Sequence, residues 1–318
     1  MAMSLEEFLE EWNNSSPYIH VQTSGSTGVP KPMLVEKRRM LNSARITCDF
    51  LGLHEGDTAL LCMSLDYIAG KMMVVRAIER GLKLIVQEPN GHPMAVSSID
   101  FAAMVPMQVY NSLQVPEERE RLMQIKNLII GGGAIDDALA AELKTFPNAV
   151  WSTYGMTETL SHIALRRLSG PEASEFYTPF PGVRLSLSPE DCLIIDAPEV
   201  CPEPLVTNDI AELSFQNFKI LGRKDNVICS GGLKIQAEQL ERQLCPHIRV
   251  PYLISKRPDA KFGEIVVLLT EGSVDEAREV CQRVLPKYHQ PRAYIHLDHI
   301  PLTETGKPAR KQAEQEIR

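Results

Sequence analysis

Several features that would indicate particular classes of protein are missing from this sequence. Its seven cysteines are scattered, with no C-x-x-C pair, which favours reduced thiols over a disulfide framework or a zinc site. No apolar run reaches the length of a membrane span. The net charge of -8 argues against nucleic acid as a partner, because proteins that bind the phosphate backbone usually carry basic surfaces. We therefore expect a cytoplasmic protein with no membrane span and no nucleic-acid partner.

The composition that remains is typical of a globular protein. Hydrophobic residues make up 44% and charged residues 23% of 318 residues, enough for the buried cores of two domains. The acidic N-terminal stretch from Ser4 to Trp12 predicts a capped amphipathic helix and does not resemble a signal peptide.

Short apolar segments alternate with helical patterns through the first 150 residues. We predict strands at 58–63, 82–86, 101–105, 128–130 and 149–152, with helices between them such as 36–51, 107–113 and 135–146. This alternation indicates parallel β-α-β units, and the nearly all-apolar strands indicate a sheet covered on both faces. The predicted fold class is α/β, with mostly parallel sheets covered by helices.

From about residue 177 the pattern changes to short strand-like segments without long helices. Segments 183–188, 192–196 and 210–221 predict an antiparallel β region that closes the first domain. Residues 222–225 read as a linker. Beyond it, helices at 237–244 and 274–285 and strands near 250–255, 264–270 and 293–297 predict a small α+β domain. We therefore expect two domains, at 1–222 and 223–318.

The stretch from Gln22 to Pro32 carries the first chemical motif. It follows a short apolar run and combines hydroxyl side chains and two glycines with Lys31. Consecutive amides in a glycine turn form an anion-binding nest, so the stretch predicts a phosphate-binding loop with G-x-x-G-x-x-K spacing. The alternative is a Ser/Gly surface loop.

Two more motifs follow predicted strands. The run Gly131-Gly132-Gly133 would let the backbone approach a flat ligand closely, although three consecutive glycines at the end of a strand often form a turn without a binding role. Tyr154-Gly155-Met156-Thr157-Glu158 places a hydroxyl and a carboxylate where the carboxyl ends of parallel strands meet, the usual ligand site in such sheets. Glu158 suits Mg²⁺, or it could instead satisfy a helix N-terminus.

The last two motifs lie near the predicted linker and the C-terminus. Asp209 suits a ribose diol and is followed by the stretch from Gly222 to Ile235, whose arginine suits hydroxyl or phosphate oxygens. Residues 301–311 hold Lys307 between glycine and proline. A lone lysine in such a loop would ordinarily be a solvated surface charge.

In this order and spacing, the five motifs resemble those of the AMP-forming adenylating enzymes, which include acyl-CoA synthetases, peptide-synthetase adenylation domains and luciferases. The resemblance extends over essentially the whole chain. It implies an AMP-forming acid–thiol ligase that uses ATP, Mg²⁺ and CoA on a small-molecule carboxylic acid.

The resemblance also implies a role for each motif residue. Ser24, Ser26, Thr27 and Lys31 would surround the β,γ-phosphates of ATP, and Gly132 and Gly133 would flank the adenine. Thr157 would touch the α-phosphate, Glu158 would hold Mg²⁺, and Asp209 and Arg223 would bind the ribose. Lys307 would bridge the carboxylate and the α-phosphate. Asp225 would be the hinge about which a mobile C-terminal lid rotates, and Ser230, Gly231 and Gly232 would line the CoA tunnel.

Within the superfamily, the runs from Tyr67 to Lys71 and from Thr157 to His162 are similar to the branch that ligates 2-succinylbenzoate to CoA in menaquinone synthesis. This implies an acyl pocket that includes Tyr67, Gly70, Lys71, Ser161 and His162. Lys71 or His162, helped by Ser161, would pair with the second carboxylate, since a buried carboxylate needs a partner. Alternatively, Lys71 covers a helix surface and His162 is a core histidine.

The sequence departs from the superfamily pattern in four places. The resemblance implies that the usual N-terminal segment of the superfamily is absent or shortened. Pro32 and Asn208 replace common glycines, and Tyr67 stands where many relatives have histidine. Three other functions stay open: another aryl- or acyl-CoA ligase, a stand-alone adenylation domain that loads a carrier protein, and a non-catalytic nucleotide-binding relative. A homodimer is left open as well.

Overall fold

A computed structural model describes residues 3–22, 32–96, 98–133, 135, 137–302 and 308–317. The elements of the first part are α1 (Leu5–Asn13), β1 (Tyr18–Gln22), β2 (Pro32–Glu36), α2 (Lys37–Leu51), β3 (Thr58–Leu61), α3 (Ile68–Arg80), β4 (Lys83–Val86), β5 (Phe101–Met104), α4 (Pro106–Leu113), α5 (Pro116–Gln124), β6 (Asn127–Ile130), α6 (Asp137–Leu143), β7 (Ala149–Gly155), β8 (His162–Arg167) and β9 (Thr178–Pro179). Among the described residues, no helix combines the length and apolar character needed to cross a membrane.

The predicted parallel sheet is confirmed. Its strand order is β4-β3-β5-β6-β7-β8-β9, in which the strands from β4 to β7 run parallel and β8 and β9 are antiparallel. Alternate residues of each parallel strand enter different hydrophobic clusters, as Phe101 and Ala102 do. One cluster includes residues of α2 and α3, and the other includes residues of α4, α5 and α6. Helices therefore cover both faces, as the apolar strands predict.

The predicted antiparallel region is confirmed as a sheet of β10 (Arg184–Leu187), β11 (Cys192–Asp196), β12 (Leu205–Ser214) and β13 (Asn217–Arg223). Its buried residues Leu193, Ile195 and Phe218 join the cluster beneath the parallel sheet. The segment predicted as one strand-like unit, 210–221, instead contains a hairpin turn. That turn is occupied by Phe215 at a φ of 54°, a residue type that does not signal a turn.

The C-terminal elements are β14 (Val227–Ser230), β15 (Leu233–Gln236), α7 (Ala237–Leu244), β16 (Tyr252–Asp259), β17 (Gly263–Thr270), α8 (Val274–Val284), β18 (Ala293–His296) and α9 (Arg310–Glu316). The strands form a sheet in the order β15-β14-β17-β16, and β18 pairs with β17. Helices α7 and α8 contribute to the cluster on one face, and α9 to the cluster on the other. The expected α+β arrangement is confirmed. The domain boundary between residues 222 and 223, the last two residues of β13, stays a prediction.

The predicted N-terminal helix is confirmed by its cap. The Ser4 hydroxyl accepts from the Glu7 amide, and the Glu7 carboxylate accepts from the Ser4 amide, so both ends of a capping box are present. Phe8 is the fully buried residue of this helix. The pairing of β1 with β2, helix α5 and strand β8 were not predicted from the sequence.

Candidate active site

The site is built where neighbouring parallel strands end. Strands β6 and β7 pair in parallel up to Ile130 and Ser152. The glycine turn follows β6, and a single turn of 3-10 helix, Thr157–Thr159, follows β7 directly. Because the carboxyl ends of parallel strands share one edge of the sheet, the two predicted motifs lie side by side, in the usual position for a ligand.

The glycine turn brings backbone into close contact with its neighbours. A Cβ atom on Gly131 would overlap the hydroxyl of Thr153 on the adjacent strand, and Gly132 has a φ of 79°. A side chain is therefore excluded at the first position and strained at the second. Beside Gly133 lies the ring of Pro106, which starts α4. The contact of this turn with a flat ligand stays a prediction.

The turn after β7 presents Thr157 and Glu158 in different surroundings. Thr157 is buried, whereas Glu158 is exposed. The Thr159 hydroxyl holds the turn by contacting the Ser161 carbonyl at 2.7 Å and the Met156 carbonyl at 3.0 Å. Glu158 makes no hydrogen bond or ion pair with any described residue, so its carboxylate is available to a ligand.

Oxygen ligands are what Mg²⁺ prefers, and it is commonly held by one or two carboxylates together with phosphate oxygens and water. Within the described part of the chain, no group of three or more histidine, cysteine, aspartate or glutamate side chains could hold a metal by itself. Glu158 with its free carboxylate therefore fits a magnesium ion that arrives with phosphates, and it does not fit a protein-only cage.

The antiparallel sheet brings a carboxylate–guanidinium pair to the same site. Asp209 on β12 is the pairing partner of Arg223 on β13, and Arg223 Nη1 donates to Asp209 Oδ1 at 3.0 Å. Tyr154 from β7 donates its hydroxyl to Asp209 Oδ2 at 2.7 Å. The structure therefore joins the motif at 154–158 to the predicted ribose-binding pair, although these residues are far apart in the sequence.

The Tyr154 ring is held by other aromatic side chains. Its centroid lies 5.8 Å from that of Tyr177 and 5.1 Å from that of Phe218, and the last two rings stack. Burial and the negative charge of Asp209 raise the pKa of Tyr154 well above its ordinary value. The phenol consequently keeps its proton and acts as a donor to Asp209.

The predicted hinge residue belongs to the same network. Asp225 Oδ2 accepts from Arg223 Nη2 and from Asn208 Nδ2, each at 3.4 Å. It lies in a 3-10 turn, Lys224–Asn226, between the antiparallel sheet and β14. Asn208, the departure from the superfamily pattern, therefore contacts the hinge turn.

The predicted acyl-pocket residues divide into two groups. Lys71 is buried, and its Nζ donates to the His20 carbonyl at 2.6 Å. Burial lowers the pKa of Lys71. On the same helix, Gly70 packs so closely on the Ser64 carbonyl that a Cβ would overlap it, and Tyr67 directly precedes the helix. Lys71 thus already donates a hydrogen bond to strand β1, and Gly70 allows helix α3 to pack closely on the backbone at Ser64.

Ser161 and His162 form a buried chain of hydrogen bonds with Arg76. Arg76 Nη2 donates to Ser161 Oγ at 2.7 Å, and Ser161 Oγ lies 3.2 Å from His162 Nδ1. His162 Nε2 lies 3.1 Å from Thr47 Oγ1, which donates to the Ser43 carbonyl at 3.0 Å. Thr47 can therefore only accept from Nε2, and we assign the neutral tautomer with its proton there.

Two ionisable side chains in this buried series of hydrogen bonds, His162 and Arg76, have unusual pKa values. Burial, followed by the nearby Arg76 charge, lowers the pKa of His162 well below its ordinary value. Burial lowers the pKa of Arg76 to about 10, so the guanidinium still carries its charge at neutral pH. Arg76 is 2% exposed, its Nε has no hydrogen-bond partner, and none of the described carboxylates pairs with it.

The predicted CoA-tunnel residues form a hairpin turn. Ser230 and Leu233 pair across β14 and β15, and Gly231 and Gly232 between them have φ values of 57° and 86°. Such a two-residue turn requires positive φ at both positions, which glycine provides. Within the described part of the chain, no hydrogen bond joins this turn to the Tyr154–Asp209–Arg223 cluster.

Five predicted residues lie outside the described residues: Ser24, Ser26, Thr27, Lys31 and Lys307. The described flanks of both segments are paired. Gln22 pairs with Pro32 across the β1–β2 hairpin. Pro301 accepts from the Ala309 amide at 2.7 Å. The described residues on the two sides of each segment are therefore hydrogen-bonded neighbours.

Two residues of the site were missed by the sequence analysis. The hydroxyl of Tyr154 received no role, because its partner is distant in the sequence. Arg76 was not singled out, although an arginine directly after the apolar run Met72–Val75 was a signal that it is buried.

The fold and the candidate site define a class of protein: an α/β protein whose candidate ligand site lies at the carboxyl ends of parallel strands, next to a carboxylate–guanidinium pair from an antiparallel sheet. Residues 6–194 match the model of the AMP-binding enzyme family, and the chain belongs to this family. The predicted superfamily is therefore confirmed.

Individual relatives agree with this membership. The 2-succinylbenzoate–CoA ligase of Listeria monocytogenes is 24% identical, over 97% of this chain and 72% of that protein. An acyl-CoA synthetase (AMP-forming)/AMP-acid ligase II-like protein from Dyadobacter fermentans is 33% identical, with a TM-score of 0.66, over 98% of this chain and 93% of that one. The o-succinylbenzoate CoA synthetase of Bacillus subtilis, solved with ATP and magnesium, is 21% identical, with a TM-score of 0.76, over 92% of this chain and 69% of that one.

Proposed function

We propose that this protein is an ATP-dependent acid–CoA ligase and that its acid is 2-succinylbenzoate, a substrate of menaquinone synthesis. The observation that best supports this proposal is that Tyr154, in the motif at the end of β7, donates to Asp209 of the Asp209–Arg223 pair, while the glycine turn follows the adjacent strand β6. Family membership and the names of the relatives support the same reaction class.

The reaction has two steps. A carboxylate oxygen of the acid forms a bond to the α-phosphorus of ATP, and the bond from that phosphorus to pyrophosphate breaks. The sulfur of CoA then bonds to the acyl carbon of the adenylate, its proton is lost, and AMP leaves. The first step brings like charges together, so it depends on positive charge and donors placed around the α-phosphate.

Different residues of this protein bind different parts of the nucleotide. Asp209 and Arg223 bind the ribose hydroxyls, Gly132 and Gly133 flank the adenine, and Thr157 donates its hydroxyl to the α-phosphate. The loop residues Ser24, Ser26, Thr27 and Lys31 hold the β,γ-phosphates. Glu158 would hold a magnesium ion, which would supply positive charge to offset the charge of the phosphates.

For the second carboxylate of the acid, Arg76 is a better partner than Lys71 or His162. Lys71 already donates to the His20 carbonyl, and His162 is neutral. Arg76 is a buried cation whose Nε is unpartnered and which already contacts Ser161, a predicted pocket residue. A carboxylate of the acid would compensate the positive charge of Arg76. It would also accept hydrogen bonds from the guanidinium, whose donors form a planar fork.

After adenylation, a rotation about Asp225 exchanges Lys307 for the Ser230-Gly231-Gly232 turn, which lines the path of the thiol. This step uses the predicted domains 1–222 and 223–318. A cytoplasmic location and a homodimer remain predictions.

A coupled pyrophosphate-release assay across a panel of acids tests the proposal. We expect release with 2-succinylbenzoate and little with benzoate or fatty acids. Release with a monocarboxylate and none with 2-succinylbenzoate would contradict the assigned acid. ATP–pyrophosphate exchange without use of free CoA would favour a carrier-loading adenylation domain, and no exchange with any acid would favour a non-catalytic relative.

A further inference from the structure

We propose that Tyr154 is a positioning residue of the nucleotide site, whose hydroxyl holds the Asp209 carboxylate in the orientation that receives the ribose hydroxyls. The proposal rests on the proposed function in one respect, the assignment of the ribose to Asp209.

The carboxylate of Asp209 has one fixed donor on each oxygen. Tyr154 donates to Oδ2 at 2.7 Å, and Arg223 donates to Oδ1 at 3.0 Å. A carboxylate has about four acceptor positions, so about two remain for the hydroxyls of a ribose. The Asp209 backbone is held as well, since its amide donates to Thr207 Oγ1 at 3.1 Å. The plane of the carboxylate is therefore determined by two side chains that approach from different strands.

The two donors differ in how firmly they are held. The Arg223 side chain is 38% exposed and also contacts Asp225 in the hinge turn. Tyr154 packs against Tyr177 and Phe218, so its ring cannot move without disturbing an aromatic cluster. Tyr154 is consequently the donor whose position is fixed, and Arg223 is the donor whose position can change when the hinge turn moves.

The same hydrogen bond joins the two sheets of the site. Tyr154 lies on β7, three residues before Thr157 at the start of the 3-10 turn, whereas Asp209 lies on β12 of the antiparallel sheet. Without the hydroxyl, Asp209 would keep only the Arg223 contact and would turn toward it. The ribose would then lose its aligned acceptor while the phosphate end of the site stayed unchanged.

The test measures binding by titration calorimetry for ATP and for 2′,3′-dideoxy-ATP, which has no ribose hydroxyls. In Tyr154→Phe we expect the Kd for ATP to rise about tenfold, because one hydrogen bond to a charged group no longer aligns the acceptor. The Kd for the dideoxy nucleotide should change by less than about twofold. The control is Tyr177→Phe, which removes a hydroxyl from the same cluster, one that lies 2.9 Å from Ser152 Oγ. It should leave both Kd values within about twofold.

Equal weakening for both nucleotides would show a structural role and overturn the proposal, as would an unchanged Kd for ATP. Failure of the wild-type protein to bind ATP would overturn the ribose assignment and the proposal with it. ATP binding that shows the expected pattern in a protein that ligates no acid would contradict the proposed function alone.

Discussion

At the scale of single residues, Arg76 has the least favourable surroundings for its charge. It is 2% exposed, its closest polar contact is the neutral Ser161 hydroxyl, and its Nε is unsatisfied. Burying a cation without a partner costs several kcal/mol of folding free energy. Such a residue is better explained by a ligand than by stability, which is why we assign it the second carboxylate of the acid.

Arg76→Met should therefore separate activity from stability. We expect KM for 2-succinylbenzoate to rise at least about tenfold, because the carboxylate loses a charged donor, while the free energy of unfolding stays equal or increases by about 1 kcal/mol. Steady-state kinetics and urea denaturation give the two values. The control is Arg80→Met on the same helix, which removes a more exposed arginine paired with Asp49 and should leave KM unchanged. An unchanged KM in Arg76→Met would contradict the role of Arg76.

His162 should make stability depend on pH. Its folded pKa lies well below the ordinary value of 6.5, so below pH 6.5 the unfolded chain binds a proton that the folded chain does not. The free energy of unfolding should then fall as the pH falls from 6.5 to 5, by up to about 1.4 kcal/mol per pH unit from this residue. His162→Gln, which keeps a donor and an acceptor, should reduce this slope, measured by urea denaturation at each pH.

The exposed His54 provides the control for this measurement. Its replacement by glutamine should leave the slope as it is in the wild type. If the slope were the same in His162→Gln as in the wild type, His162 would not be the buried neutral group described above.

At the scale of elements, α9 follows the segment that carries Lys307, and its first residue, Arg310, forms an ion pair with Glu241. Arg310 Nη2 donates to Glu241 Oε2 at 2.6 Å, and Arg310 Nη1 donates to the Ile254 carbonyl at 2.6 Å. Glu241 Oε1 accepts from the Ile254 amide at 2.8 Å. The pair therefore ties α9 to both α7 and β16.

Loss of either partner should destabilise the C-terminal sheet region. We expect Arg310→Met and Glu241→Gln each to lower the free energy of unfolding by about 2 kcal/mol, less than for a fully buried pair because both side chains keep some exposure. The double variant should cost less than the sum, since both changes remove one interaction. Strictly additive losses in urea denaturation would mean that the pair is not coupled.

Local patterns sufficed for most elements of this fold. Apolar runs and their spacing predict the strands from β3 to β7 and the helices α2 and α7 within a few residues. The pairing of β1 with β2 was missed because a polar stretch, interpreted as a chemical motif, separates the two strands in the sequence. The Tyr154–Asp209 bond and the Arg76–Ser161 contact join residues from separate elements, and no local pattern encodes such partners.

At the scale of the whole molecule, the proposed reaction uses Lys307 in only one of its two steps, the formation of the adenylate. Lys307→Ala should lower adenylation by a factor of about 100 or more, because the developing charge at the α-phosphate loses a cation. Thioester formation from a supplied acyl-adenylate should stay near the wild-type rate. Exchange of ATP and pyrophosphate measures the first step, and release of AMP measures the second. Equal loss in both steps would contradict the proposed role of Lys307.

The central claim is that this chain couples ATP to the formation of a CoA thioester of 2-succinylbenzoate. The direct measurement is the identification of products by mass spectrometry after incubation of the purified protein with ATP, Mg²⁺, CoA and that acid. We predict equal amounts of AMP, pyrophosphate and 2-succinylbenzoyl-CoA. The claim would be contradicted if ADP and phosphate were formed, or if the protein bound ATP but formed no thioester.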